Sequence, residues 1–223
     1  MNCIVTAGPT YENLDEVRRL TNFSTGKLGT KLAACLSRQG HHVVLLRGYY
    51  AVYRGLEIAA ESATFTTTAD LKDRLACLAS RPIDAIFHAA AVSDFGFGQA
   101  FARSDGGELL AVKAGKLSTR QGPLLVELVP TPKIIAELRG WFPRACLVGW
   151  KFEVDGTRDD AVTAGRNQIK ACRTNACVVN GPAYGPGFGV VSERERCVHL
   201  VDEQTLFAAL GEWISGTLPL TKG

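Results

Sequence analysis

A buried strand running straight into a tight turn of small residues limits the fold of this chain more than any other feature. Cys3-Ile4-Val5-Thr6 is the strand and Ala7-Gly8-Pro9-Thr10 the turn at its end. Asn22-Phe23-Ser24-Thr25-Gly26-Lys27-Leu28-Gly29 comes next and opens a helix read as Thr30–Gln39. Strand, small turn and Gly-rich helix start can form a cradle whose backbone N–H groups and helix dipole favour an anion. That arrangement belongs to a parallel α/β sheet and points to a nucleotide or another phosphorylated ligand.

The rest of the chain keeps the alternation of strand and helix. Val43–Arg47 reads as a second parallel strand, with the β-prone stretches Glu57–Ala60 and Thr64–Thr67 after it. Ala69–Ser80 has helical apolar spacing, and Ile83–Ala90 is a strand ending in small residues. The pattern breaks after Asp94. Phe95–Gly107 is Gly-rich without a period and reads as a loop. Leu109–Lys113 and Leu124–Val129 flank the polar tip Ala114–Pro123, which predicts a hairpin or flap at about 96–130. Alternation then resumes. The predicted helices are Lys133–Arg139, Arg158–Arg173 and Glu203–Ser215. The predicted strands are Ala145–Phe152, Ala176–Val179 and Cys197–Val201, with a Gly/Pro loop over Asn180–Gly189. These elements predict one doubly wound α/β domain over residues 1–223 with right-handed crossovers.

Composition removes several function classes. The net charge of +3 over 223 residues is too weak to argue for nucleic acid, and the basic residues are scattered. No apolar run is long enough to span a bilayer, and Met1 leads directly into the first strand, so a cytoplasmic protein is expected. The seven cysteines include no CxxC pair and read as reduced core thiols. His41, His42, His88 and His199 have no metal-ligand spacing.

Several short motifs remain as candidates, each with an ordinary alternative. Gly26-Lys27 lacks the earlier glycine and the following Ser or Thr of a P-loop, and the first turn has no GxGxxG. Gly26 and Gly29 serve either a phosphate or close helix–sheet packing. Ala89-Ala90-Ala91-Val92-Ser93-Asp94 ends a strand where ligands of open α/β sheets collect. Asp94 there binds a ligand or caps a turn. Lys113 and Lys116 either close over a phosphate chain or face water. Trp150 stacks on a base or fills core, and Asn180-Gly181-Pro182 closes the pocket or is plain loop.

Taken in order, these segments resemble the phosphopantothenate–cysteine ligase family, the second activity of bacterial coenzyme A flavoproteins. The likeness is collinear from Cys3 to about Val201. Thr6-Ala7-Gly8-Pro9-Thr10 resembles the family's opening turn. Leu14-Asp15-Glu16-Val17-Arg18 with Thr21 to Gly29 resembles its most specific motif, and Ala89 to Phe95 its second. Lys113-Ala114-Gly115-Lys116, Pro132-Lys133-Ile134-Ile135, Val148-Gly149-Trp150 and the strand end at Asn180 complete the series.

The resemblance implies a three-layer, Rossmann-like fold and a ligase of coenzyme A biosynthesis. A nucleoside triphosphate, CTP in preference to ATP, would activate the carboxylate of 4'-phosphopantothenate, and L-cysteine would then displace the nucleoside monophosphate. By position, Asn22 and Lys113 are implied as catalytic, and Arg18, Asn22 and Ala91 as substrate-binding. Gly8, Gly26, His88, Ala89, Ala90, Asp94, Lys113, Pro132, Lys133, Ile134, Ile135 and Trp150 are implied as nucleotide-binding. Mg2+ is implied with the nucleotide, its protein ligands unspecified. No flavin is expected, and a homodimer is implied with the hairpin around Lys113 reaching toward the partner. Three features depart from the family pattern. Gln168 and Cys172 stand where two lysines are usual, with Arg166, Lys170 and Arg173 nearby. Trp150 replaces a Phe, and the decarboxylase domain often fused upstream is not expected, so that the chain would do the ligase step only. An NAD(P)-dependent oxidoreductase and a non-catalytic nucleotide-binding homologue are the competing classes.

Overall fold

The computed structural model describes residues 1–118, 120, 122–192 and 197–216. The first half contains β1 (Asn2–Ala7), β2 (Tyr11–Asn13), β3 (Arg19–Thr21), α1 (Lys27–Arg38), β4 (His42–Gly48), β5 (Glu61–Phe65), α2 (Thr68–Leu78) and β6 (Ala85–His88). A small-sheet segment follows, with β7 (Phe95–Arg103), β8 (Leu109–Val112) and β9 (Leu124–Pro130). The remainder is α3 (Ile134–Trp141), β10 (Cys146–Phe152), α4 (Arg158–Cys172), β11 (Ala176–Asn180), β12 (Phe188–Ser192), β13 (Cys197–Leu200) and α5 (Glu203–Ile214).

Eight strands make the central sheet in the order β13-β12-β11-β10-β6-β1-β4-β5. From β5 through β11 every neighbouring pair is parallel, and β12 and β13 add an antiparallel edge. Strand order reverses between β1 and β6, which opens a crevice at their carboxyl ends. This is a doubly wound, Rossmann-like α/β sheet.

Side-chain alternation along the strands builds the two faces. Cys3, Val5 and Ala7 of β1 pack with Leu32, Ala33 and Leu36 of α1 and with Leu206, Phe207 and Leu210 of α5. Ile4 points the other way, into a core with Leu71 and Leu75 of α2 and Ile134 and Leu138 of α3. A third cluster seats Ala161, Val162 and Ile169 of α4 over β11 and β12. Three helices start on side-chain caps, Thr67 for α2, Thr157 for α4 and Asp202 for α5. Neither α1 nor α3 has one.

Three segments differ from the sequence-based expectation. The stretch read as a loop, Phe95–Gly107, contains β7, the central strand of a separate antiparallel sheet ordered β8-β7-β9. Gly96 and Gly98 interrupt its alternation, and β7 bulges between Phe97 and Ala100, so no clean period marks it. The loop predicted at Asn180–Gly189 ends instead in β12, which pairs with β11 over Ala176–Ser192 to Val179–Gly189. The short β2–β3 hairpin bears no periodic signature, because its three-residue strands are half or fully exposed. Helix α1 starts at Lys27, three residues before the predicted Thr30. The polar tip Ala114–Pro123 lies partly outside the described residues.

None of the seven cysteines forms a disulfide; Cys3, Cys172 and Cys177 are buried, whereas Cys77 and Cys197 are exposed. Among the described residues, no helix is long and apolar enough to cross a membrane.

Candidate functional site

The carboxyl edge of the sheet is organised by the close approach of α1 to β1. Gly8 and Gly26 both have positive φ, 84° and 76°, a backbone conformation that glycine adopts without steric cost. A Cβ on Gly26 would lie 2.8 Å from the Ala51 methyl and 3.3 Å from Gly8 Cα. One turn on, a Cβ on Gly29 would lie 2.6 Å from Ala7 Cβ and 2.8 Å from the Thr6 carbonyl oxygen. Both glycines therefore serve close packing, and the same packing brings the start of α1 up to the strand ends. Arg47 holds the other wall. Its guanidinium donates to the carbonyls of Ala51 and Tyr53, which fixes Ala51 against the two glycines.

Asn22 ties the first motif to the second. Its carboxamide donates to the Ala91 carbonyl at 3.0 Å, and Thr10 N–H donates to the same oxygen at 3.1 Å. Ala91 N–H returns to the Gly8 carbonyl at 3.0 Å, so pairing continues past the ends of β1 and β6. Ser93 N–H donates to the Thr10 hydroxyl at 2.8 Å. Thr131 then clips the start of α3 to the same segment, through its N–H to the Asp94 carbonyl and its hydroxyl to the Ser93 carbonyl. Ala89–Asp94, Asn22 and Pro132–Ile135 are thereby joined at one edge. The Asp94 side chain is exposed at the rim.

A cavity of about 360 Å³ opens beside this junction. Its walls include Gly26 and Lys27 of the α1 start, Ala89, Trp150, Asn180 and Glu203. No side chain caps α1, and the Lys27 N–H reaches only the Thr25 hydroxyl at 3.3 Å. First-turn N–H groups of a helix have no intrahelical acceptor and carry the positive end of its dipole. The Trp150 indole N–H and the Asn180 carboxamide oxygen are both buried without a partner. The cavity thus presents anion-seeking amides on one side, with an unclaimed donor and acceptor buried behind the Trp150 and Asn180 wall.

Several predicted site residues act through the backbone or lie elsewhere. The His88 imidazole is buried against the Thr6 hydroxyl at 3.0 Å rather than lining the cavity. Burial pushes its pKa down to about 4, so the ring is neutral at pH 7. Ile134 and Ile135 point into the core; what α3 offers the edge is its uncapped N–H groups and the exposed Pro132 and Lys133. Lys113 is exposed beyond β8 and does not line the cavity. Its segment is anchored to the turn carrying Arg18. Glu16 N–H donates to the Gly115 carbonyl at 2.9 Å, Leu117 N–H to Asp15 Oδ2 at 3.1 Å and Arg18 Nη2 to the Leu117 carbonyl at 2.6 Å.

Cations that could stand in for lysines at 168 and 172 are on the wrong edge. Gln168 donates to the Trp150 carbonyl at 3.2 Å, and Cys172 is buried in apolar core. Arg166, Lys170 and Arg173 line a different cavity of about 1030 Å³, with Arg144, Cys146 and Asn175. Cys146 begins β10 and Asn175 precedes β11, so that cavity lies at the amino ends of the strands. Among the described residues, no group of three or more His, Cys, Asp or Glu could hold a metal ion.

The family model for the DNA/pantothenate metabolism flavoprotein C-terminal domain matches residues 1–208. The chain belongs to this family. A bifunctional coenzyme A biosynthesis protein, CoaBC of Thermococcus kodakarensis, is 32% identical over 177 residues, 79% of this chain and 40% of that protein. The chain spans between 40% and 50% of the length of the curated relatives it matches over most of its own length. The crystal structure of a DNA/pantothenate metabolism flavoprotein from Streptococcus pneumoniae shares the fold with a TM-score of 0.83 at 24% identity. It covers 97% of this chain and 99% of that one. A Cab2 mutant in complex with phosphopantothenate-cysteine shares it at 0.71 and 17% identity, over 96% and 87% of the two chains.

Within this family member, two cavity residues escape motif reading. Phe188 lies in the stretch read as a loop, and Glu203 opens α5, far along the chain from Gly26. Asp15 is a third residue whose role only the structure gives. Burial works to raise its carboxyl, and hydrogen bonds from Val17, Leu117 and Arg18 N–H outweigh it and hold it below the usual carboxylate range. The ionised carboxylate accepts all three. We expect Asp15→Asn to loosen residues 113–118 while the central sheet stays intact. Amide hydrogen exchange there should quicken by about tenfold, the scale of one charge-assisted hydrogen bond; unchanged exchange would show that Asp15 does not hold the segment.

Proposed function

We propose that this chain carries out the ligase step of coenzyme A biosynthesis, joining 4'-phosphopantothenate to L-cysteine at the expense of a nucleoside triphosphate. The observation that carries this reading is the junction of Asn22, Ala91 and the uncapped start of α1, within a chain that belongs to the pantothenate-metabolism family. The phosphopantothenate-cysteine bound by the Cab2 mutant supports the substrate class.

The chemistry has two displacements. A carboxylate oxygen of phosphopantothenate attacks the α-phosphorus, the bond to the β-phosphate breaks, and pyrophosphate leaves. The cysteine amine then attacks the acyl carbon, the carbon–oxygen bond to phosphate breaks, and the nucleoside monophosphate leaves with the amine losing a proton. The first step brings two anions together, so the site must supply positive charge where oxygens crowd. N–H groups of α1 supply it without a mobile counter-ion. Lys113 supplies it from its anchored segment once nucleotide is bound. Asn22 orients the acyl group with a neutral carboxamide, adding no charge at the carbon under attack. No side-chain nucleophile is needed, because the intermediate stays on the substrate.

Mg2+ fits as a companion of the triphosphate. Among the described residues, Glu203 is the one acidic residue lining the cavity, and it is already paired to two lysines. Mg2+ prefers phosphate oxygens and water over an all-protein cage. CTP is the proposed nucleotide, with Trp150 and Asn180 in the wall beside it. Gln168 and Cys172 favour a second reading, a homologue that binds nucleotide without turnover, since neither adds charge to the phosphate chain.

With CTP, Mg2+, 4'-phosphopantothenate and cysteine, the protein should release CMP and pyrophosphate in equal amounts. Asn22→Asp should still release pyrophosphate once per site and then stall, with acyl-cytidylate accumulating. Absence of pyrophosphate with either CTP or ATP would remove the ligase reading and leave the binding homologue.

We also propose a homodimer formed through the small sheet. Phe95, Leu109, Leu110, Leu125, Leu128 and Val129 are all exposed there, and Phe23 is fully exposed beside Asn22. Apolar exposure on this scale marks an interaction surface. Sedimentation should give twice the chain mass, and a monomer at working concentration would count against it.

A further inference from the structure

The start of α1 carries a charge arrangement that reaches beyond the family motif holding Lys27. Lys27 is the first residue of the helix and lines the cavity. A cation there sits at the positive end of the dipole, where it is unfavourable. Lys31, one turn on, adds a second. Glu203, in the first turn of α5, answers both. Its Oε1 lies 2.9 Å from Lys27 Nζ, and its Oε2 accepts from Lys31 Nζ. The triad is only partly buried, with the Glu203 side chain 25% exposed and Lys27 49% exposed. Burial works to raise the Glu203 carboxyl, but hydrogen bonds from Lys31 and Lys27 outweigh it and hold the group below its ordinary range. The carboxylate is ionised at pH 7. A full negative charge therefore stands in the wall of a cavity whose other features attract anions.

We propose that Glu203 is a positioning residue that sets the affinity of this site for polyphosphate: it neutralises Lys27 and Lys31 while the site is empty, and the incoming phosphate chain takes Lys27 from it. The inference rests on the nucleotide reading of the cavity and adds how that site is tuned. A carboxylate and a phosphate compete for one ammonium group, so each weakens the other. Lys27 is the partner that exchanges, because it lines the cavity and is the more exposed lysine. Lys31 stays with Glu203, which keeps the carboxylate from drifting into the cavity as an uncompensated charge. With pyrophosphate as a product, the same competition speeds its departure. Glu203 thus trades ground-state affinity for release.

The probes are inorganic pyrophosphate and CTP, titrated calorimetrically against the wild type, Glu203→Gln, Glu203→Asp and Lys27→Gln. Removing the carboxylate should tighten pyrophosphate binding by about fivefold, the scale of a partly exposed ion pair, and steepen its weakening by salt. In turnover, Glu203→Gln should lower KM for the nucleotide and lower kcat with it. A residue that merely stabilised α5 would lower kcat or raise KM and would not tighten the product. Glu203→Asp should return binding toward wild type, and Lys27→Gln should weaken it. Unchanged or weaker pyrophosphate binding in Glu203→Gln, with wild type binding both probes, would overturn the inference and leave the nucleotide reading standing. If wild type binds pyrophosphate but not CTP, and Glu203→Gln binds pyrophosphate more tightly, the tuning of polyphosphate affinity holds and the nucleotide reading falls. If no protein binds either probe, both fall.

Discussion

The arrangement at the carboxyl edge depends on one close approach, the first turn of α1 pressed against the end of β1. There is no room for a Cβ at Gly29 or Gly26, and filling either position would push the helix off the strand, at a cost of about 1–3 kcal/mol for overpacking alone. The approach has two consequences. It aims uncapped N–H groups into the crevice where strand order reverses, and it leaves Asn22 within reach of the Ala91 carbonyl. Everything assigned to the site follows from those two facts: the anion preference, the joining of the two motifs, and the position of Lys27 at the cavity wall. A glycine pair that looks like a phosphate grip is in the first place a packing device, and the proposed phosphate site is built on that packing.

Charge is distributed to suit that geometry. The candidate site relies on backbone dipoles and on lysines already partnered by Glu203, with no bare cluster of cations. A bare cluster would hold nucleotide and pyrophosphate alike. Among the described residues, cations without an ion pair are instead found at the amino ends of β10 and β11, where Arg144, Lys170 and Arg173 line the larger cavity. Neutrality of His88 belongs to the same logic. Its ring is buried against the Thr6 hydroxyl, and a charged imidazole there would face no carboxylate and little water.

Much of this was legible in the sequence where function and local structure coincide. Strand β1 and its turn announce themselves by apolar run and small residues, and Asn22 and Ala89–Asp94 by their place in ordered motifs. Reading fails where a residue's contribution is its backbone. Ile134 and Ile135 occupy the motif, yet their side chains fill the core and only the helix start meets the edge. It also fails for β7, because a strand in a small sheet exposed on much of its surface has no need to alternate. Glu203 and Asp15 were unreadable for a third reason. Each acts on a segment distant in sequence, Glu203 on Lys27 and Asp15 on Leu117, and a single sequence carries no mark of such pairs.

Amide hydrogen exchange with saturating CTP and Mg2+ tests the central claim most directly, because it reports on backbone N–H groups one at a time. Lys27–Gly29 and Ala89–Ala91 should become protected together, and the amides around Arg144, Lys170 and Arg173 should not change. Protection confined to that second cavity, with Lys27–Gly29 unaltered, would contradict the assignment of the α1 start as the phosphate site.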